Sequence, residues 1–182
     1  MMEAVTFCPA NRQEWRQWLQ EHHASARSVW LVYYKKQANR PTLSWSEAVD
    51  EALCFGWIDS TARTIDEEKF MQFFTKRKAG SVWSKINKEK IKRLTAAGLM
   101  TPAGRKCVAL ARKNGSWSIL DEAEALIIPK DLEQAFTSRR GSKAHFRSLS
   151  RSVQKTYLQK LVLAKRPETR LKRIQEIVNL GE

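Results

Sequence analysis

The first part of the chain alternates between helical and extended patterns of apolar residues. Trp15, Trp18 and Leu19 recur at helical spacing and predict an amphipathic helix over residues 9–23. Residues 28–36, SVWLVYYKK, are rich in β-branched and aromatic side chains, which predicts a largely buried strand that ends in lysines. The N-terminal region is therefore expected to hold a helix followed by a strand.

A capping box formed by Ser44 and Glu47 opens the second predicted helix. The apolar residues that share one face of this helix are Trp45, Ala48, Val49, Ala52 and Leu53. Gly56 fits the left-handed position just beyond the helix end. Residues 58–65 and 69–75 then predict two strands joined by an acidic turn.

Beyond these strands a basic loop over residues 76–81 leads into a further predicted helix. Ser84 is its expected N-cap, and Gly98 marks its end. Thr101 and Pro102 then start the next helix, because proline suits the first helical position. This part of the chain is thus predicted to be a pair of consecutive helices.

The last third of the chain is predicted to be entirely helical. The helices are expected over residues 121–126, 130–137, 142–149, 150–164 and 167–180. In the last two helices the positions expected to face inward are Val153, Tyr157, Leu158, Leu161, Leu171, Ile174 and Val178.

Together the elements predict an α+β protein. A small antiparallel sheet, with about three or more strands within residues 28–75, is framed by helices and followed by an all-helical C-terminal part. This pattern suggests an α+β domain over residues 1–125 and a helical subdomain over residues 126–182. The boundary is soft, and one compact unit is the alternative.

Composition limits where the protein is expected to act. The chain has 182 residues, of which 42% are hydrophobic, and this argues against disorder. It has no run of about 18 apolar residues, so no transmembrane segment is predicted, and no signal-peptide pattern is visible. Its three cysteines form no closely spaced pair, which favours a reducing compartment. A cytoplasmic location is therefore expected, while the oligomeric state is left open.

The charge is distributed unevenly along the chain. The formal net charge is +14, but residues 1–70 contribute −2 and residues 71–182 contribute +16. Such asymmetry indicates a surface that attracts anions, which include nucleic acid, anionic membrane surfaces and acidic metabolites. An ordinary solvated surface rich in lysine and arginine is the alternative.

The chain contains no nucleotide-binding loop, zinc-protease motif or hydrolase elbow, so no cofactor or metal is predicted. The candidate ligand-binding residues are Trp57, Asp59, Arg63, Arg77, Lys78, Ser81, Trp83, Ser84 and Asn87. Arg63 and Arg77 have the geometry to grip a carboxylate or phosphate, and Trp57 or Trp83 offers a stacking face. Core packing explains both tryptophans equally well. Strand alternation places Asp59 on the same face as Arg63, where the two would form a local ion pair.

Two other functions remain open. An enzyme with an unfamiliar site would use Asp59, Arg63 and Asn87, although acid pairs such as Asp50 and Glu51 are explained by helix solvation. A nucleic-acid-binding module would use the basic C-terminal residues Arg147, Arg151, Lys155, Lys165, Arg166, Arg170 and Arg173. No reaction is predicted, and the chain is expected to be a binding protein rather than an enzyme.

Three stretches of the chain resemble the YdeI/OmpD-associated, or bacteriocin-protection, family. They are EAVDEALCFGWIDS at residues 47–60, the segment from Phe74 to Lys88, and AKRPETR at residues 164–170 followed by Arg173 and Ile174. LMTPAG at residues 99–104 is also typical of that family. The resemblance implies a role in resistance to bacteriocins, antimicrobial peptides or stress, through binding of an anionic small molecule or a protein partner. It implies no catalytic residues.

Overall fold

The structure, a computed structural model, describes residues 5–40 and 42–181. Its strands are β1 (Val5–Phe7), β2 (Ser28–Tyr34), β3 (Trp57–Thr64) and β4 (Lys69–Lys76). Its helices are α1 (Arg12–His22), α2 (Trp45–Cys54), α3 (Lys85–Ala96), α4 (Pro102–Lys113), α5 (Asp121–Glu124), α6 (Lys130–Ala135), α7 (Ser142–Ser148), α8 (Arg151–Val162) and α9 (Pro167–Val178). The predicted α+β class with a helical C-terminal part is confirmed.

The chain forms two compact units. Within the described residues, the first unit runs to Ser81 and also includes Ile86–Ser116. The second unit consists of Val82–Lys85 and the residues from Trp117 onward. The sheet and α1, α2 and α4 belong to the first unit, whereas α5 to α9 form the second. The units therefore divide earlier in the chain than the boundary suggested by the sequence.

The sheet has the strand order β1-β2-β4-β3. β2 pairs with β4 in antiparallel fashion, with Trp30 opposite Phe73, and β3 pairs antiparallel with β4. β1 joins the other edge of β2 in parallel, with Thr6 opposite Trp30. The three predicted strands thus form the expected antiparallel part, and β1 makes the whole sheet mixed. β1 is only three residues long, too short to show a periodic pattern.

A bulge in β3 determines which side chains share a face of the sheet. Asp59 lies opposite Phe74, but Ala62 lies opposite Gln72, so three steps along β3 match two along β4. Directly opposite residues project to the same side, and the extra residue therefore reverses the alternation. Arg63 projects to the side opposite from Asp59. The predicted same-face placement of these two residues is wrong for this reason.

Two helices cover one face of the sheet, which we call the helix face. Trp15 of α1 meets Phe74 of β4 edge-on, with ring centroids 5.4 Å apart. Trp18 meets Trp57 at 5.9 Å and an interplanar angle of 87°. α2 packs beside β3, and its residues from Ala48 to Cys54 are all buried. Aromatic packing between α1 and the sheet thus forms the centre of the first unit.

α2 carries two buried acids, and both are ion-paired. The carboxylate of Glu51 accepts hydrogen bonds from Arg12 and Arg16 of α1, each at 2.5 Å. The carboxylate of Asp50 pairs with Lys90 of α3 at 2.7 Å and with Arg93 at 2.5 Å. Helix solvation, expected from the sequence, is wrong for this acid pair, because the side chains lie inside the unit.

The second unit has its own apolar core. Its buried residues are Ala123, Leu132, Phe136, Phe146, Leu158, Leu161, Ile174, Ile177 and Val178. Val153 and Leu171 were predicted to face inward, but they are 40% and 57% exposed. Both lie near the start of their helices, before the residues that these helices bury in the core.

Candidate functional site

A cluster of polar side chains surrounds Asp59 at the β3 bulge, on the helix face. Oδ2 of Asp59 accepts a hydrogen bond from Trp45 Nε1 at 2.9 Å and another from Gln72 Nε2 at 3.1 Å. The same amide of Gln72 donates to the carbonyl of Ser60 at 3.0 Å. Oδ1 of Asp59 accepts no hydrogen bond from any residue that the structure describes. β-bulges often re-aim side chains next to functional sites.

Tyr33 adds an unsatisfied hydroxyl to this cluster. Tyr33 is only 1% exposed, and its ring stacks on Phe70 with centroids 4.8 Å apart. Its hydroxyl group has no hydrogen-bond partner within residues 5–40 and 42–181. Burial, and then the negative charge of Asp59, raise the pKa of the Tyr33 phenol above its ordinary value. We call Tyr33, Trp45, Asp59 and Gln72 the Asp59 cluster.

Arg77 is a cation near this cluster. It follows β4 directly, and its backbone N–H donates to the carbonyl of Gly56 at 2.9 Å. Burial lowers the pKa of its guanidinium to about 10, although the electrostatic effects of Cys107 and Asp59 act to raise this pKa. Arg77 is therefore still positively charged at neutral pH, although its Nε and Nη1 atoms are buried.

The predicted stacking tryptophans both lie inside the protein. Trp57 is 0% exposed, and its Nε1 donates to the carbonyl of His23 at 3.4 Å. Trp83 is 1% exposed and packs against Trp117, with ring centroids 5.0 Å apart, within the second unit. Trp45, by contrast, is 50% exposed rather than part of the apolar face predicted for α2. The indole accessible beside Asp59 is thus Trp45.

The basic loop is a compact turn. The N–H of Ser81 donates to the carbonyl of Lys78 at 2.9 Å. The carbonyl of Ala79 accepts from Asn114 Nδ2 at 2.7 Å and from Ser116 Oγ at 3.3 Å. These bonds attach the loop to the end of α4, and the side chain of Lys78 is exposed.

The remaining predicted residues do not form one group. Ser84 directly precedes α3 and belongs to the second unit, while Asn87 is half-buried within α3. Arg63 lies over Trp30 on the other face of the sheet. The enzyme hypothesis needs Asp59, Arg63 and Asn87 together, and the β3 bulge already separates the first two.

Three members of the Asp59 cluster were not predicted from the sequence. The sequence pattern predicts Tyr33 only as part of a buried strand, and Trp45 as an apolar helix position. Gln72 carried a usable signal, because it alternates with Phe70 and Phe74 at an inward position of β4. A polar residue between two buried aromatic residues needs a partner, and that partner is Asp59.

Several of the predicted nucleic-acid-binding cations stabilise the second unit instead. Arg170 forms a bidentate pair with Asp131, with N–O distances of 2.5 and 3.0 Å, and donates to the carbonyl of Leu161 at 3.0 Å. Arg173 donates to the carbonyl of Lys160, and Lys155 lies 3.4 Å from Glu124. In the described part of the chain, the cations without a side-chain bond in this set are Arg147, Arg151, Lys165 and Arg166; they are exposed.

The stretches that resemble the bacteriocin-protection family also have structural roles. The carbonyl of Cys54 accepts from the backbone N–H and the hydroxyl of Thr101, at 3.1 and 2.6 Å. Gly56 has a φ of +75° and lies against Cys107, where an added Cβ would approach to 3.2 Å. These contacts join the end of α2 to the start of α4, so the CFG and TPAG stretches of this chain pack against each other.

The chain thus combines a helix-covered mixed sheet with a separate helical unit. No helix within the described residues is long and apolar enough to cross a membrane. Residues 7–107 match the model of the family described as Domain of unknown function (DUF8412), and the chain belongs to this family. Residues 125–180 match the model described as Bacteriocin-protection, YdeI or OmpD-Associated, which confirms the resemblance found in the sequence. No curated protein and no solved structure matches the chain.

Proposed function

We propose that this chain is a cytoplasmic binding protein whose site for a small polar ligand is the Asp59 cluster. The ligand binding would serve the resistance to bacteriocins, antimicrobial peptides or stress that the family resemblance implies. The observation that carries the proposal is the hydroxyl group of Tyr33, which is buried without a partner in the described residues and lies within range of the charge of Asp59. A buried hydroxyl that lacks a partner costs about 1 to 3 kcal/mol, so a bound group that accepts a hydrogen bond from it is stabilising.

The cluster indicates the chemistry of the ligand. Oδ1 of Asp59 is an available acceptor and suits an O–H or N–H group of the ligand. The Tyr33 hydroxyl is a buried donor without a partner in the described residues, and it suits a carboxylate or phosphate oxygen. The positive charge of Arg77 favours an anionic group in the same region. A small organic acid, amino acid or phosphate ester with its own donor satisfies these conditions.

Trp45 supports a site with access from solvent. Its indole N–H is held by Asp59, while half of its surface is exposed. The fixed ring provides a flat apolar surface for the carbon skeleton of a small ligand. Ligand sites commonly combine such aromatic surfaces with a few convergent polar groups.

A thermal-shift screen against amino acids, organic acids, nucleotides and inorganic phosphate tests the proposal. A ligand at one hundred times its dissociation constant stabilises by about 2.7 kcal/mol, which raises the Tm by about 5 to 10 °C in a chain of this size. A hit that persists at moderate salt supports a specific site. The absence of any hit in the panel would count against a small-molecule site.

The variant Tyr33→Phe makes the test specific to the Asp59 cluster. It removes the hydroxyl without altering the ring, so the free protein should be as stable as wild type or more stable. Affinity for the hit should fall about tenfold or more, since a bond to an anionic acceptor is lost. Tyr157→Phe removes a hydroxyl from the second unit and is the matched control. Unchanged affinity in Tyr33→Phe would place the ligand elsewhere.

A further inference from the structure

The sheet presents aromatic side chains on the face opposite the Asp59 cluster. Trp30 on β2 and Phe73 on β4 lie directly opposite each other, with ring centroids 4.7 Å apart and tilted by 48°. Both residues are half-buried, and both lie on the two central strands of the sheet. We call this side the aromatic face. The solvent-facing side of an antiparallel sheet is ordinarily polar, so this half-buried pair of aromatic residues requires an explanation.

Cations lie over the aromatic rings of this face. The guanidinium of Arg63 is 4.9 Å from the centroid of the Trp30 ring. Tyr34 has two such neighbours, Lys69 Nζ at 5.4 Å and the guanidinium of Arg40 at 5.6 Å. Trp30 and Tyr34 are four residues apart on β2, which corresponds to about 13 Å along the strand. The face thus carries two aromatic sites, one with a single neighbouring cation and the other with two.

Among the described residues, the positions of β2, β3 and β4 that project to the aromatic face include no acid. The residues of β2, β3 and β4 that project to it are Ser28, Trp30, Val32, Tyr34, Ile58, Arg63, Lys69, Met71, Phe73 and Thr75. The charged side chains at these strand positions are therefore all positive, which favours a polyanion over a cationic or neutral partner. A second copy of the chain placed symmetrically on this face would bring two surfaces of the same positive charge together, each with its Arg63 and Lys69.

We propose that the aromatic face binds single-stranded nucleic acid. Unpaired bases stack on aromatic side chains regardless of their sequence, and phosphates pair with cations beside them. Trp30 and Phe73 form the stacking surface, while Arg63, Lys69 and Arg40 contact phosphates. A strand that runs along β2 reaches both aromatic sites. This surface lies on the opposite side of the sheet from the Asp59 cluster, so the two proposals fail or succeed separately.

Fluorescence anisotropy with a labelled single strand of about 12 nucleotides tests the proposal. Three phosphate contacts give an expected slope of about −2 for log affinity against log salt, at about −0.7 per contact for single strands. A duplex of the same sequence should bind more weakly, because its bases are already stacked. Equal affinity for duplex and single strand, or no binding at low salt, would overturn the proposal.

Substitutions separate the aromatic face from the basic C-terminal helices. Phe73→Leu and Arg63→Ala should each lower affinity for the single strand about tenfold, since stacking on an aromatic residue contributes about 1 to 3 kcal/mol per base. Thermal unfolding of each variant confirms that it is folded. The double variant Arg147→Ala/Arg151→Ala removes two exposed cations from the second unit and should retain affinity within about twofold. A loss only in this double variant would move nucleic-acid binding to the C-terminal helices and refute the proposal.

Discussion

Gly104 lies so close to Cys54 that no larger residue fits at its position. A Cβ atom on Gly104 would lie 2.2 Å from the carbonyl oxygen of Cys54 and 2.9 Å from the Cε atom of Met100. The first of these neighbours is backbone that is fixed at the end of α2 and bonded to Thr101. The approach of α4 to α2 therefore depends on glycine, and it holds the segment that leads into β3.

Replacement of Gly104 by alanine tests this contact. We expect Gly104→Ala to lower the free energy of unfolding by about 2 to 3 kcal/mol, because the two backbones must separate to admit the methyl group. Chemical denaturation measures the change. Gly80→Ala is the control, since an added Cβ there meets nothing within 4 Å. A Gly104 variant as stable as the Gly80 variant would contradict the close packing.

The ion pairs of Asp50 predict how stability depends on acid pH. Burial alone would raise the pKa of Asp50, but hydrogen bonds from Lys90 and Arg93 outweigh burial and hold the pKa below its ordinary 3.8. A lowered pKa in the folded state stabilises the protein above about pH 4, and this contribution disappears as the pH falls through the folded value.

Denaturation at a series of acid pH values measures this dependence. We expect the stability of Asp50→Asn to change less steeply below pH 4 than that of wild type, because the ionisable group is gone. Glu176→Gln, which removes an exposed carboxyl group, is the control for net charge. The same acid slope in wild type and Asp50→Asn would refute this role of Asp50.

Tyr33 predicts a dependence on alkaline pH. Burial and the charge of Asp59 raise the pKa of Tyr33 above its ordinary value of 10.0. A raised pKa in the folded state means that its contribution to stability is complete below pH 10 and decreases as the pH rises further. We expect wild type to lose more stability above pH 10 than Tyr33→Phe does. Tyr157→Phe should resemble wild type, and a Tyr33→Phe curve parallel to wild type would contradict the burial of the phenol.

The Arg170–Asp131 pair should matter for the fold of the second unit rather than for binding. Arg170→Ala removes three charge-assisted hydrogen bonds, two of them to the carboxylate of Asp131. We expect it to lower the free energy of unfolding by about 1 to 3 kcal/mol. Lys172→Ala, at an exposed position of the same helix, should change stability by less than about 0.5 kcal/mol. Equal stabilities of the two variants would show that the pair contributes nothing.

Local signals in the sequence predicted much of the fold. The capping box of Ser44 and Glu47 begins α2 as predicted, with both of its reciprocal hydrogen bonds. Thr101 caps α4 with Pro102 in its first turn, and Gly56 has the left-handed backbone expected after α2. Each of these features depends on residues close together in the chain, so a pattern of a few residues is enough to predict it.

The candidate site was less predictable because it depends on register. No glycine or proline marks the bulge between Asp59 and Ala62, so simple alternation put Arg63 on the wrong face. Trp45 has the spacing of a core residue, but its indole N–H is used by Asp59, fourteen positions away. The unsatisfied hydroxyl of Tyr33 becomes apparent only when all of its neighbours are known.

The adjacent acids of α2 limit how the sequence can change. Asp50 draws its cations from α3 and Glu51 draws its cations from α1, so two neighbouring positions connect three helices. If either acid is lost, two like charges from one helix remain without their counter-ion. If one cation is lost, the acid still has the other. We therefore expect related sequences to exchange Asp50 or Glu51 only together with both of its cations, whereas single exchanges of a cation are tolerated.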